Sequence, residues 1–187
     1  MDAFSFLSVL LSIILGLAIT QVLQGLGRLM TARARVTFFW PPVVIALVML
    51  VSFVQSWWAM FGLRNHAGWT FAGFFVVILQ TIFSYLQAAL ILPEFQIESP
   101  VDMRANYFAH ARWFFLMIIA GTLTSLAKDL VLDGKLPSPL NTGFHCMWIA
   151  MAAIACVTRV EWFHKLLALF AVAMNAAYIG LLFSRLQ

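Results

Sequence analysis

Carboxamides and hydroxyls at helical spacing inside long apolar stretches are the side chains here that could do chemistry, and that chemistry is hydrogen bonding. Between Thr70 and Leu92, the residues Gly73, Gln80, Ser84 and Gln87 fall within about 60° of one another at 100° per residue. Ser52, Gln55 and Ser56 share a face of another stretch, Gly121, Thr124, Ser125 and Lys128 lie on a third, and Asn175 sits near the middle of the last. An amide turned to hydrocarbon is costly, so Gln80, Gln87 and Asn175 are expected to face the protein interior, a partner chain or water. Such residues either join helices, at about 0.6 to 2 kcal/mol per bond, or line a polar pathway.

A second pattern runs along the first stretch, where Ser8, Ser12, Gly16, Thr20, Gln24 and Arg28 recur at every fourth position. Small residues at this spacing let helices approach closely in lipid, so the ridge reads as a packing surface within the chain or between copies of it. Further small faces, Cys146, Ala150 and Ala153 with Ala173, Ala177 and Gly180, exceed what six helices need internally. A homo-oligomer is the expectation, and Gly16 is the position where a larger side chain should disturb it.

Four histidines, His66, His110, His145 and His164, complete the candidate ligands. Alternating spans put His66 and His145 on one side and His110 and His164 on the other, which would suit two b-type haems. Yet all four lie at or beyond helix ends, and no helix carries two spaced for both levels. Imidazoles facing the surface or the headgroups are expected, with haem b as the alternative. No H-x-x-x-H, C-x-x-C, G-x-S-x-G or Gly-rich phosphate loop occurs, and no intramembrane pair of carboxylates. No catalytic residue, metal site or required cofactor is assigned. Cys146 and Cys156 are ten positions apart on one expected helix, about 15 Å, too far for a mutual disulfide.

The elements that must position these residues follow from composition. With 64% hydrophobic and 10% charged residues, against about 45–50% and about 25% in soluble domains, lipid is the solvent. Continuous apolar runs select helices over a barrel. The chain is therefore expected to be an all-α, polytopic membrane bundle forming a single domain. Six transmembrane helices are read, at 4–26, 41–63, 70–92, 107–128, 140–158 and 163–183, or five if the short fifth is lost. Pro41 and Pro42 suit a first helical turn, Ser99-Pro100-Val101-Asp102 reads as an N-cap followed by an N1 proline, and Pro139 opens the fifth helix.

Charge sets the orientation. Arg28, Arg33, Arg35, Arg104, Arg112, Arg159 and Lys165 fall on one side and Arg64, Lys128, Lys135 and Arg185 on the other, seven against four. The first side is read as cytoplasmic, which leaves both termini non-cytoplasmic, and Asp2 points the same way. The first run lacks a preceding basic residue and is followed by arginines, the reverse of a signal peptide. The net charge of +4 thus reads as topology rather than nucleic-acid binding. No Asp, Glu, Lys or Arg lies mid-span, which disfavours proton-coupled transport. Lys128 and Asp129 are expected at a helix end, with Lys128 snorkelling to headgroups.

These features point to a multi-pass protein of a bacterial-type inner (plasma) membrane whose leading function is an oligomeric channel or passive transporter for a small ion or solute. A non-catalytic scaffold or sensor subunit serving an unidentified membrane partner is the rival. A small b-type cytochrome is third.

Overall fold

A computed structural model describes residues 3–66, 68–94 and 100–182. Among these, six helices are long and apolar enough to cross a membrane. They are α1 (Ala3–Ala32), α2 (Trp40–Met60), α3 (Phe71–Ile91), α4 (Met103–Asp133), α5 (Pro139–Val157) and α6 (Glu161–Leu182). The chain is an all-α bundle, and the fifth span is a full helix. Large apolar side chains, Phe71, Trp113, Val157, Trp162 and Leu181 among them, cover its outside. That surface would be a liability in water and is the solvated face in lipid.

Local chemistry sets the ends. Thr70 accepts a hydrogen bond from Gly73 N at 3.1 Å, and Ser138 accepts one from Asn141 N at 3.3 Å with Pro139 behind it. Pro41 and Pro42 lie in the first turn of α2, where a missing N–H leaves no bond unmade. The start of α4 differs from expectation. Asp102 is the N-cap, accepting from Arg104 N and Ala105 N at 2.9 and 3.0 Å, so Pro100 and Val101 precede the helix. A carboxylate reaching two backbone donors next to the positive helix end explains the choice. Gly134, in the left-handed region at φ 65°, terminates α4. With 31 residues, or about 46 Å, α4 exceeds a hydrocarbon core of about 30 Å. The expectations placed on Asp2, Ser99, Phe183 and Arg185 lie outside the described residues.

Two long-range contacts show which connections share an end. Val36–Thr37 (β1) pairs in parallel with Val101–Asp102 (β2), and Arg104 Nε donates to Glu161 Oε2 at 2.7 Å. The connections α1–α2, α3–α4 and α5–α6 therefore meet at one arginine-rich end, as the charge count assumed. The helices α2 to α6 touch their neighbours in sequence order and α6 returns to α2, while α1 packs on α2 and α3. The buried seam of α1 is Leu7, Leu11, Leu15, Ala18 and Val22, at spacings of three and four. Five helices thus enclose a centre, with α1 outside it.

Candidate functional site

At that centre lies a cavity of about 200 Å³ bounded by side chains of α2 to α6 and by none of α1. Each of the six residues read from sequence as polar lining, Ser52, Gln55, Gln80, Ser84, Gln87 and Asn175, stands on its wall. They arrive from three helices, α2, α3 and α6. From α4 come Gly121, Thr122 and Ser125, and from α5 come His145 and Trp148. Among the described residues, no Asp, Glu, Lys or Arg borders the cavity.

The hydrogen bonds define how the wall is held. Asn175 Nδ2 donates to Ser52 Oγ at 2.6 Å, and the Ser52 hydroxyl donates to Val48 O at 3.0 Å. Gln87 Nε2 donates to Met117 O at 3.1 Å, across from α3 to α4. That approach needs Gly121, because a Cβ there would stand 3.1 Å from Gln87 Nε2 and 3.3 Å from Phe83 Cβ. The Ser84 hydroxyl donates to Gln80 O within α3 at 3.2 Å. Gln80 Oε1 is buried and has no protein partner. The amides of Gln80 and Asn175 thus do not pair with each other; Ser52 is the partner of Asn175.

Two histidines depart from the expectation that all four face the surface or headgroups. His145 is buried, with Nδ1 2.8 Å from Asn141 O and Nε2 3.1 Å from Ser125 Oγ. A carbonyl only accepts, so Nδ1 carries the proton and Ser125 donates to Nε2. Tyr178 Oη donates to Asn141 Oδ1 at 3.1 Å and closes this corner. His164 is fully buried beneath the cavity, towards the arginine-rich end. By the same argument its Nε2 donates to Thr158 O at 2.8 Å and its Nδ1 accepts from Tyr107 Oη at 2.9 Å. The rings of Phe108, Phe163 and Phe115 stand 5.0, 5.5 and 5.8 Å from it.

Both ring nitrogens of each buried histidine thus meet protein atoms. His110 is exposed, its Nδ1 on Asn106 O at 3.0 Å, and His66 lies 4.0 Å from Asp133. Ser125 and His145 are joined like a nucleophile and base, but the third member is a helical carbonyl. Ser125 sits inside α4, so its own backbone amide is committed to the helix. The pair clamps α4 to α5.

The cavity is blind towards the arginine-rich end. Its lining residues nearest the starts of α2, α4 and α6 are Ile45, Phe115 and Leu167, all buried, and the His164 cluster lies beyond Phe115. Towards the other end, Lys128 and Asp129 form a partly buried ion pair at 3.4 Å, where a snorkelling lysine was expected.

On α1 the ridge lies to one side of the buried seam. Ser12, Thr20, Gln24 and Arg28 are exposed, Ser8 and Gly16 are half-buried, and a Cβ on Gly16 would meet nothing within 4 Å. Only Ser12 has a contact across to another helix through this ridge, accepting from Trp57 Nε1 at 3.2 Å, among the hydrogen bonds of the described residues. The faces of Cys146, Ala150 and Ala153 and of Ala173, Ala177 and Gly180 are likewise exposed. No family model, curated protein or solved structure matches the chain.

Proposed function

We propose that the protein is an oligomeric channel or passive transporter for a small ion or solute, set in the cell inner membrane with both termini non-cytoplasmic. One observation carries this reading: polar faces from five helices converge on a single cavity at the centre of an otherwise apolar bundle. Joining the helices would need only local pairs such as Asn175 with Ser52. A volume of about 200 Å³ is more than ten times the roughly 10–15 Å³ that one water requires, so the polar walls have room to hydrate. Conduction requires the layer of Ile45, Phe115 and Leu167 to part. Apolar constrictions of this kind close a path by excluding water.

The blind end also favours a second reading, a non-catalytic sensor or scaffold subunit that binds a ligand in the cavity and reports to a membrane partner. Flux into liposomes separates the two. The variant Gln80→Leu/Asn175→Val should fold, because Gln80 Oε1 has no protein partner to lose and Ser52 keeps its own donated bond. The lost Asn175 bond costs about 0.6–1.7 kcal/mol. Wild-type protein should equilibrate at least one of a panel of ions and small solutes several-fold faster than protein-free liposomes, and the folded variant should not. No flux of any species from wild type would hand the case to the sensor subunit.

A further inference from the structure

We infer that the cavity is selective for small uncharged solutes that both donate and accept hydrogen bonds, the class of urea, short amides and short polyols, over ions of either sign; this rests on the pathway reading. A bare cation needs a shell of oxygen acceptors and an anion needs a shell of donors or cationic groups. The wall is neither of these shells, because donors and acceptors are interleaved on it. Its side chains of greatest polar reach, Gln55, Gln80, Gln87 and Asn175, are carboxamides, and each places an N–H₂ donor beside a C=O acceptor whichever way the amide is turned. The hydroxyls of Ser52 and Ser84 donate to carbonyls of their own helices and so offer only lone pairs to other partners, one of which Asn175 Nδ2 already takes on Ser52; beside the four amides they complete a mixed wall, not an all-acceptor shell. At the Ser125 corner, the hydroxyl and the imidazole satisfy each other.

Charge reinforces the point. Among the described residues no ionised side chain borders the space, and the nearest pair along α4, Lys128 with Asp129, neutralises itself. An ion entering a cavity ringed by apolar helices would give up hydration without a compensating countercharge, whereas a neutral amphiprotic solute exchanges water hydrogen bonds for amide ones. Gln80 lines the cavity and its Oε1, buried without a protein partner, is the acceptor left for such a solute.

The test uses the full-length protein in liposomes. Urea and glycerol entry is followed by stopped-flow light scattering, and K⁺, Na⁺ and Cl⁻ movement by a potential-sensitive dye. Wild type should speed urea or glycerol entry at least five-fold over protein-free liposomes, with no ion-driven potential above that control. Gln80→Leu should cut the solute rate at least several-fold, and Gln55→Leu, on another helix, should do so independently, with elution volume and unfolding midpoint used to confirm folding. Ion movement matching or exceeding that of the neutral solutes overturns the selectivity and leaves the pathway standing. Absence of both fluxes overturns the pathway and the selectivity together, and undiminished solute flux in both variants overturns the site.

Discussion

Tyr107→Phe removes one oxygen from the buried cluster near the arginine-rich end, and its effect can be worked out from the bonds around His164. The phenol donates to Nδ1 of an imidazole with no exposed surface, so the variant leaves a buried acceptor unpaired. That loss is worth about 1–3 kcal/mol. His164→Leu costs more. It strands the Tyr107 hydroxyl, removes the bond to Thr158 O that ties the α5–α6 connection to α6, and breaks ring contacts with three phenylalanines. Aromatic pairs contribute about 0.5–1.5 kcal/mol each, which places the variant at about 3–5 kcal/mol after partial relaxation. Once His164 is gone, the Tyr107 hydroxyl is the stranded group, so adding Tyr107→Phe should recover about 1 kcal/mol instead of costing more. Equilibrium unfolding of the four proteins in mixed micelles, by SDS titration, measures this cycle. Additive losses from the two changes, with no coupling above about 0.5 kcal/mol, would refute the Tyr107–His164 bond as the source of the effect.

Two further outcomes test the assembly and the topology. Gly16→Leu meets open space within one chain, so its unfolding midpoint should match wild type while crosslinked oligomers in liposomes are lost; an unchanged oligomer would remove α1 from the interface, and a monomeric wild type would remove the interface altogether. In a background lacking Cys146 and Cys156, an impermeant maleimide applied to intact cells should label Asn65→Cys and spare Arg33→Cys, and the reverse pattern would invert the orientation.

The sequence by itself determined the solvent, the number of crossings and which faces of which helices are polar. Those properties are local: hydropathy over about 20 residues makes a span, and a 3.6-residue repeat puts Gln80, Ser84 and Gln87 on one side of it. Capping was partly local too, legible at Pro41 and Pro139 but displaced at α4, where Asp102 and its two backbone donors prevail over the Ser99-Pro100 pattern. What only the tertiary structure decided is how the helices are rotated and staggered against one another. Asn175 and Gln80 lie at similar depth, yet α6 packs on α2, so the partner of Asn175 is Ser52. His145 and His164 occupy ends of their helices, positions that read as headgroup-facing. Their burial comes from neighbours distant in sequence, Ser125 twenty positions away and Tyr107 fifty-seven, which supply the hydrogen bonds that make an interior imidazole tolerable. The ridge on α1 shows the converse. Its spacing is a sound packing signal, but the leucines of the adjacent face are the ones buried where α1 packs on α2 and α3, and the ridge is left facing outward. Periodicity establishes that two surfaces exist on a helix; which of them meets the rest of the chain depends on the shape of the groove that receives it.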